Sequence, residues 1–472
     1  LFIEDQHPWW SCYPEVLGGN LVKTPALDAL AQDGVRFERC YVPTPVCSPC
    51  RSAIVTGTYS IRTGIHDHRS SRHPGAQIHL PEGVCTAPEL FRKAGYNAFN
   101  KGKDDYNFNY DRKAVYTLGT KPGTVSFYGG KGGGSIAEAN AKSKPFFGQI
   151  QAHGGKSGNR VKARFVGGVK ATDPKTVTVP PQYPDIPQIR NEIAHHHDTM
   201  LCSDYDAANV VKQIKAAGQW DNTILFVFTD HGGKMARAKQ FCYDEGLHVP
   251  LIIAGGALPK ELRGTTRKDL INLLDITATS MAFAGIDIPE WMDSKDLFAK
   301  GYGRKYIFSN RDRCDFTIER IRSVMGERFH YIRNFLTDRV LYQHNYRSKG
   351  EPFKTLKKMH EEGKLTPAQA AGWEKRAPEE LYDLQADPNE IKNLATDPKY
   401  KKVLDEYRAA LEGWLKDTDD KAADGESKEG LRATMTRWGK NCINPEFKGL
   451  TPLPMPKKEK IINKKPKKNK KV

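Results

Sequence analysis

A continuous apolar run near the middle of the chain is the feature that most constrains the fold. Residues 224–228 read ILFVF, and the run ends in the pair Asp230-His231. A strand without polar alternation has to be covered on both faces, which is typical of a central strand in a parallel sheet. The chain opens in the same way, with the apolar residues 1–3 ahead of the pair Glu4-Asp5. These two segments predict two strands of an α/β fold, each of which brings a pair of polar residues to the carboxyl edge of the sheet.

The polar pairs at the two strand ends predict a metal site. Functional groups in open α/β sheets gather at the carboxyl ends of the strands. Glu4-Asp5 and Asp230-His231 both occupy such positions. Adjacent carboxylates are suitable ligands for a hard divalent cation. Glu4-Asp5 alone is better explained as a solvated loop after an edge strand, so the prediction depends on both pairs together with the stretch at residues 47–57.

Helices with recognisable ends alternate with the strands. The segments Thr24–Gly34 and Thr86–Gly95 each begin with a capping Thr followed by an early Pro and end at a Gly. Pro145–His153 is predicted to be a further strand, and Asp198–Gly218 an amphipathic helix. The triplet His195–His197 is expected to be the polar start of that helix. This alternation agrees with an α/β class.

The stretch CSPCRSAIVTG at residues 47–57 has the layout of a loop that enters a helix. Ser48 can cap the helix, Pro49 suits its first position, and Arg51 lies one turn beyond Cys47. A helix N-terminus with a nearby guanidinium favours an anion, and a thiol placed there is unusually acidic. On these residues alone, a redox Cys-x-x-Cys pair, half of a zinc site and a buried helix start stay open.

Length and charge narrow the class of protein further. The chain has 472 residues and a formal net charge of +17. Its last sixteen residues carry nine Lys and one Glu, which leaves +9 for the remainder. The positive charge therefore extends beyond the tail and favours an anionic partner. No apolar run approaches the ~20 residues of a membrane-spanning helix.

The 47–57 stretch resembles the signature of type I sulfatases, C-x-P-x-R followed by T-G. Three other stretches are similar to family segments in the family order: TPALDALA…GVRF at 24–37, KQFCYDEGLHVP at 239–250 and LYDL…DP…NLA at 381–395. The resemblance implies an alkaline-phosphatase-like α/β fold. In that fold a large, mostly parallel sheet flanked by helices is joined to a small C-terminal antiparallel sheet with a helix.

The resemblance also implies site residues and cofactors. In the family, a maturation enzyme converts the signature Cys, here Cys47, to formylglycine, which is the nucleophile. The implied metal ligands are Glu4, Asp5, Cys47, Asp230 and His231, and their oxygen-rich character favours Ca²⁺ over Mg²⁺. The implied catalytic residues are Cys47, Arg51, Lys103, Asp105, His153 and Lys239.

Asp105 departs from the family pattern. Sulfatases typically carry G-K-x-H where this chain has GKDD at residues 102–105, so an Asp replaces the His that serves as a base. Lys103 and Lys239 match the two sulfate-binding lysines, and His153 matches the acid for the leaving oxygen. Asp105 can accept the proton, or a His of the 66–73 loop can take over; we favour Asp105.

The expected substrate is a sulfated carbohydrate. The aromatic residues Trp9, Trp10, Tyr106 and Phe108 suit sugar rings, and arginines suit further sulfates or carboxylates. A cationic loop, residues 66–73, follows the signature and is predicted to form one side of the pocket. The expected substrate-binding residues are His66, His68, Arg69, Arg311 and Arg313.

Two alternative functions remain at this point. Phosphonate monoester and phosphodiester hydrolases of the same superfamily share the C-x-P-x-R nucleophile. A non-enzymatic polyanion-binding protein would keep Cys47 unmodified. The resemblance to bacterial polysaccharide sulfatases favours a periplasmic or secreted enzyme with neither a nucleic-acid partner nor a membrane span. The expected organisation is a catalytic domain at 1–300, a C-terminal subdomain at 301–440 and a disordered basic tail at 441–472.

Overall fold

The computed structural model of the chain describes residues 1–16, 20–119, 133–142, 144–158 and 170–455. Within these ranges the strands are β1 (Phe2–Ile3), β2 (Val35–Tyr41), β3 (Asn97–Lys101), β4 (Phe146–Ala152), β5 (Leu225–Thr229), β6 (His248–Ala254), β7 (Thr265–Asn272), β8 (Ile307–Arg311), β9 (Ile321–Met325), β10 (Phe329–Asn334) and β11 (Glu379–Asp383). The α-helices are α1 (Pro25–Gln32), α2 (Cys47–Thr56), α3 (Ala87–Lys93), α4 (Arg112–Val115), α5 (Ile136–Asn140), α6 (Pro187–Ala216), α7 (Asp244–Leu247), α8 (Asp275–Phe283), α9 (Glu351–Glu361), α10 (Pro367–Ala370), α11 (Lys401–Thr418) and α12 (Lys428–Trp438).

The larger sheet has seven strands in the order β3-β4-β1-β5-β6-β2-β7. Neighbouring strands are parallel except on the two sides of β6, which is antiparallel to both β5 and β2. The mostly parallel α/β sheet predicted from the apolar runs is thus confirmed. Ile3 of β1 pairs with Thr229 of β5 and with Ala152 of β4. The segments that leave β4, β1 and β5 therefore start side by side at one edge.

The helix ends follow the local signals in the sequence. Helix α1 has Thr24 as its N-cap and Pro25 as its first residue, and it buries Leu27 and Leu30. Helix α3 is opened by a capping box in which Thr86 and Glu89 bond to each other's backbone. Both predicted helix starts are confirmed, but only α3 has the capping contact: in α1 the Ala26 and Leu27 N–H groups donate to Asp204 Oδ1 rather than to Thr24.

The smaller sheet is fully antiparallel, in the order β11-β10-β9-β8. Helix α11 covers it with one apolar face, formed by Leu404, Tyr407, Leu411 and Trp414. The Trp414 ring stacks on Phe308 of β8 with centroids 5.0 Å apart. The small sheet with a packed helix, expected for the C-terminal part, is present. One hydrophobic core includes both Ile3 of the large sheet and Ile321 of the small one, so the two sheets pack together.

Helix α6 corrects one local prediction. It begins at Pro187, eleven residues earlier than expected, and has 30 residues. The triplet His195–His197 therefore lies inside the helix, where His196 and His197 are buried. The ring of Trp9 packs edge-on against both histidines. This tertiary packing, which the local polarity did not reveal, extends the helix towards its N-terminus.

The chain between 441 and 455 corrects a second prediction, that the tail from 441 onwards is disordered. Pro445–Phe447 forms a 3₁₀ turn, and the Phe447 side chain is buried against Ile318 and Leu431. The lysine-rich segment 457–472 lies outside the described residues. Among the helices that are described, even the 30-residue α6 lacks the apolar length needed to cross a bilayer.

Candidate active site

The strand order collects polar residues at one edge of the large sheet. Four neighbouring strands, β3, β4, β1 and β5, are followed by segments that meet there. Residues that were far apart in the sequence become neighbours because parallel strands share their carboxyl edge. The residues delivered by these four strands are Lys103 and Asp105, Lys156, Glu4 and Asp5, and Asp230 and His231.

Cys47 reaches this edge from the first turn of α2. The helix begins at Cys47 with Val46 as its N-cap, so the expected cap at Ser48 and first position at Pro49 are wrong by two residues. The Ser48 hydroxyl instead accepts a hydrogen bond from the Arg69 backbone N–H at 2.9 Å. This contact joins the cationic loop to the start of α2. The Cys47 side chain is only 2% exposed.

Four of the five predicted metal ligands form one buried cluster. The ligand atoms of Asp5, Cys47, Asp230 and His231 all lie within 4.8 Å of one another. The Nδ1 atom of His231 bonds to its neighbour's carbonyl, Gly232 O, at 2.9 Å, so Nε2 is the atom that faces the cluster. Two carboxylates and an imidazole nitrogen are a donor set that fits a divalent cation.

Glu4, the fifth predicted ligand, lies beside this cluster. Its Oε2 atom accepts a hydrogen bond from Lys103 Nζ at 3.0 Å and forms an ion pair with Lys156. Burial alone would raise the pKa of Glu4, but Lys103 and then Lys156 outweigh it and hold the pKa well below its usual range. Glu4 is therefore ionised and orients the two lysines.

Four cationic side chains surround the Cys47 thiol and its acidic neighbours. Lys239 Nζ lies 3.3 Å from Cys47 Sγ and 2.6 Å from Asp5 Oδ2. Lys156 Nζ also lies 3.3 Å from the sulfur. Arg51 donates to Asp230 Oδ2 from Nε at 3.0 Å, so the carboxylate fixes its guanidinium. Lys103 completes the set through its contact with Glu4.

These cations make the environment of Cys47 selective for negative charge. Burial alone would raise the pKa of the thiol, but Lys103, Lys156 and Lys239 outweigh it and lower the pKa to about 6. The expectation of an unusually acidic thiol is met, although lysines rather than the helix N-terminus are the main cause. Cys50, the other signature cysteine, points away and donates its thiol to the Asp230 carbonyl at 2.9 Å.

Asp105 lies in the same group but is tightly paired. Its carboxylate is fully buried, forms an ion pair with Arg72, and lies 3.0 Å from Lys103 Nζ. Burial alone would raise the pKa of Asp105; Lys103 and Arg72 outweigh it and hold the pKa well below its usual range. Asp105 is therefore an ionised acceptor that has to leave an ion pair before it binds a proton.

Four of the five predicted substrate-binding residues are buried, and Arg69 is partly buried. Arg313 forms an ion pair with Glu426, and Arg69 lies 3.2 Å from Asp315. His68 Nδ1 also faces Asp315, at 3.4 Å, and burial lowers the pKa of His68 to about 4. His66 is buried near Asp67, 3.7 Å from its carboxylate. Arg311 stacks on Phe241 with its Cζ atom 4.6 Å from the ring centre.

The aromatic residues expected to bind sugar rings are instead part of the core. Trp9, Trp10, Tyr106 and Phe108 are each at most 8% exposed. Tyr106 and Phe108 stack on each other with centroids 5.5 Å apart, and the Tyr106 hydroxyl bonds to Tyr116. That part of the substrate prediction is wrong, because burial in hydrophobic clusters leaves these rings no face for a ligand.

The predicted catalytic residue His153 does not face the cluster, whereas Lys156 does. His153 is exposed, at the start of the 3₁₀ turn Gly154–Lys156. Lys156, which the sequence analysis did not single out, reaches the Cys47 sulfur. The signal that could have found it is the glycine pair at 154–155, which suggests a close backbone approach before a basic residue.

Comparison with known proteins identifies the family. The sequence profile of the sulfatase family matches residues 1–286, more than half of the chain. The chain belongs to the sulfatase family. This sulfatase is accordingly a sulfuric ester hydrolase.

Two curated relatives cover most of this sulfatase. An ulvan-active sulfatase of Formosa agariphila is 29% identical over 445 residues, covering 87% of this chain and 74% of that protein. An N-sulphoglucosamine sulphohydrolase of Homo sapiens is 24% identical over 466 residues, covering 87% of this chain and 89% of that protein.

Solved structures confirm the alkaline-phosphatase-like fold. A 2-O GAG sulfatase superposes with a TM-score of 0.59 at 22% identity, covering 90% of this chain and 94% of the other. A phosphonate monoester hydrolase of Agrobacterium radiobacter superposes with a TM-score of 0.60 at 17% identity, covering 88% and 95%. At these identities the likeness concerns the fold alone.

Proposed function

We propose that this sulfatase removes sulfate from a sulfated carbohydrate by means of a formylglycine nucleophile made from Cys47. The observation that carries the proposal is the position of the Cys47 sulfur, 3.2 Å from His231 Nε2 and 3.3 Å from two lysine ammonium groups. In the mature protein the thiol is replaced by a hydrated aldehyde, which supplies one hydroxyl to attack sulfur and a second to expel sulfate.

The proposed metal is Ca²⁺, held by Asp5, Asp230, His231 and the modified residue 47, with Glu4 beside them. The compact arrangement of their ligand atoms supports this set. A bound divalent cation would supply positive charge that lowers the pKa of the attacking hydroxyl.

The chain's own cations are suited to hold the sulfate group. Arg51, Lys103 and Lys239 carry fixed positive charges around residue 47, each positioned by a buried carboxylate. Charge that moves onto the sulfate oxygens in the transition state is stabilised by such preorganised groups without further rearrangement. Asp105 is the proposed base for the second hydroxyl, and a release of its ion pair with Arg72 would precede that step.

Arg311 supports a substrate with more than one negative charge. It is 1% exposed, and among the described residues its Nε and Nη1 atoms have no hydrogen-bond partner. Arg313, by contrast, is paired with Glu426. Arg311 also stacks on Phe241, two residues beyond the proposed sulfate-binding Lys239. The charge of Glu319 opposes the cost of burying this guanidinium, but Nε and Nη1 donate to no carboxylate among the described residues, so a second sulfate or a carboxylate of the substrate would complete it.

The relatives favour polysaccharide substrates. One is named an ulvan-active sulfatase and one solved structure a 2-O GAG sulfatase. We infer a sulfated polysaccharide or an oligosaccharide derived from it, and such a substrate favours a periplasmic or secreted enzyme.

The function is tested by measuring released sulfate. Protein produced with a formylglycine-generating maturation enzyme and supplied with Ca²⁺ is incubated with sulfated oligosaccharides of algal and glycosaminoglycan type. We expect free sulfate from at least one class and a desulfated product of matching mass.

Hydrolysis of phosphorus esters, the alternative activity, is measured in the same experiment. A p-nitrophenyl phosphonate monoester and a phosphodiester are assayed against p-nitrophenyl sulfate. A kcat/KM for the phosphorus esters well above that for every sulfate ester would overturn the proposal in favour of a phosphonate monoester or phosphodiester hydrolase.

A further inference from the structure

The 343–348 loop, which lies between β10 and α9, is bound to the segment that carries Lys239. Arg347 of this loop donates from Nη1 to the Lys239 carbonyl at 2.6 Å. Its Nη2 atom donates to two further carbonyls of the same segment, at 3.0 and 2.9 Å. The Lys239 ammonium group in turn lies 3.3 Å from Cys47 Sγ. The loop therefore borders one of the proposed sulfate-binding residues.

Tyr346 occupies a turn of this loop whose shape is fixed on both sides. The Asn345 side chain accepts a hydrogen bond from the Arg347 N–H at 2.8 Å, and the Asn345 N–H donates to the Ser348 hydroxyl at 2.9 Å. The guanidinium of Arg347 is held by the three carbonyls. The backbone of Tyr346 is thus positioned before a ligand binds, which lowers the entropy that binding has to overcome.

The ring of Tyr346 lies outside the hydrophobic clusters of the described residues. Within that part of the chain it also stacks on no other aromatic ring, and its hydroxyl forms no hydrogen bond. Tyr342, four residues earlier, packs against Phe241, Phe353 and Trp373. Tyr346 is only partly buried. An aromatic side chain that is held in place without a core partner is available to a ligand, with an apolar ring and a polar end.

Tyr346 lies among the charged groups of the site. Burial raises the pKa of its phenol, and Lys239 is the neighbouring charge that opposes this rise most. Cys314 and Cys47 act on the same phenol. Burial also raises the pKa of the Cys314 thiol, against the opposing charges of Arg311 and Lys239. Tyr346 therefore neighbours both Lys239 and the segment that carries Arg311, and its hydroxyl keeps its proton at neutral pH.

We propose that Tyr346 binds the sugar that carries the scissile sulfate and thereby determines specificity for saccharides. This inference rests on the proposed sulfatase function. Lys239 holds the scissile sulfate and Arg311 a second negative charge, so a sugar that connects the two groups lies beside Tyr346. The ring offers an apolar face to the C–H groups of the sugar, and the hydroxyl donates to a sugar oxygen. Tyr346 takes the role that the four aromatic residues in the core do not perform.

The test compares saccharide turnover with the binding of free sulfate. Matured, Ca²⁺-loaded variants are assayed on the sulfated oligosaccharide that the unmutated enzyme hydrolyses best. We expect Tyr346→Ala to raise KM about 10- to 100-fold and to change kcat less than about 3-fold, because a contact common to substrate and transition state is lost. Tyr346→Phe keeps the ring and should raise KM less than about 10-fold. The Ki of inorganic sulfate should change less than about 2-fold in both variants, because the lysines and Arg51 remain.

Two further variants make the test specific. Tyr346→Leu keeps apolar volume if the alanine variant does not fold, and it should show a similar rise in KM. Tyr306→Phe removes a hydroxyl that bonds to Glu406 on the exposed surface, and KM should not change.

An unchanged KM in Tyr346→Ala or Tyr346→Leu overturns the proposal. A Ki of sulfate that rises by the same factor as KM also overturns it, since the ring would then only support Lys239. Because the unmutated protein must first release sulfate from the saccharide, a failure of the sulfatase function itself is recognised separately.

Discussion

The Nε2 atom of His231 lies 3.2 Å from the Sγ atom of Cys47, although 184 positions separate the two residues. One residue follows β5 and the other begins α2, so the contact joins the sheet edge to the signature helix. The orientation of the His231 ring is fixed by a hydrogen bond from Nδ1 to the Gly232 carbonyl at 2.9 Å. The proposed nucleophile and the proposed metal ligands are therefore one site, and changes to either should affect the same reaction.

Removal of divalent metal should abolish turnover and destabilise the fold. Without a cation the buried carboxylates of Asp5 and Asp230 lose a compensating charge. We expect chelator-treated protein to regain activity with Ca²⁺. Ca²⁺ at about 100-fold above its Kd should stabilise the folded state by about 2.7 kcal/mol, read as a rise in Tm.

Asp230→Asn should remove most of that Ca²⁺-dependent rise in Tm. Asp221→Asn, in an exposed 3₁₀ turn away from the site, is the matched control and should keep it. An unchanged response to Ca²⁺ in Asp230→Asn would show that the cation binds elsewhere.

Asp105→Asn should slow the release of sulfate more than its transfer to the enzyme. The amide cannot take the proton from the second hydroxyl, so the first half of the reaction runs ahead of the second. We expect kcat to fall by about 100-fold, with a burst of the released phenol that approaches one equivalent per active site. Stopped-flow measurement with an aryl sulfate resolves the burst.

His68→Gln is the companion variant for this prediction, since a His of the 66–73 loop is the alternative base. Burial lowers the pKa of His68 to about 4, so its imidazole is neutral at pH 7 but a weaker proton acceptor than an exposed histidine. A burst in His68→Gln together with normal release in Asp105→Asn would assign the role to His68.

The sequence predicted that the polar residues at two strand ends lie together, because strand ends follow a topological rule. Asp5 and Asp230 each follow an apolar strand, and parallel strands share an edge. The two residues are in direct contact, since the Asp5 backbone N–H donates to the Asp230 side chain at Oδ1, at 3.0 Å. The start of α3 was predictable because its capping box satisfies local backbone groups.

Features that depend on tertiary contacts were not predictable in this way. The start of α2 is two residues early because Ser48 is used by Arg69 rather than as a cap. The position of Lys156 depends on how closely the 154–156 turn approaches β1, which no local pattern encodes. The role expected of Trp9 failed because its ring packs on helix α6 instead of facing solvent.

Arg311→Met should lower kcat/KM for substrates that carry a second negative charge. The methionine keeps much of the apolar volume beside Phe241 but removes the guanidinium. We expect kcat/KM to fall by about 10- to 100-fold on a disulfated saccharide, in line with a lost charge-assisted hydrogen bond. On an analogue of the same saccharide whose only charged group is the sulfate to be removed, kcat/KM should change less than about 3-fold. An equal loss on both substrates would contradict a role of Arg311 in binding the second charge.

Glu192 on helix α6 should make stability fall as the pH rises. Burial raises the pKa of its carboxyl to about 7, against the opposing effects of Arg347 and Lys234, and Oε2 has no hydrogen-bond partner among the described residues. The folded state therefore holds this proton more tightly than the unfolded chain does. That contribution to stability is complete below about pH 4.5 and is lost as the pH rises through about 7.

Glu192→Gln should remove this pH dependence. At pH 8 we expect the variant to be more stable by about 1–2 kcal/mol, less than the full shift implies because the side chain is partly exposed. At pH 5 the difference should be much smaller. Urea denaturation at both pH values measures it, with Glu361→Gln on the exposed surface of α9 as control. A difference that is equal at the two pH values would rule out Glu192 as its source.

The mass of the peptide that contains residue 47 shows whether Cys47 has been converted to formylglycine. Conversion of the thiol to an aldehyde lowers the peptide mass. We predict the lower mass in protein made with a maturation enzyme, in Cys50→Ser as well as in the unmutated chain. Activity on a sulfate ester should be proportional to the converted fraction and absent in Cys47→Ala. Full sulfatase activity from protein whose Cys47 peptide keeps the mass of the thiol would contradict the account.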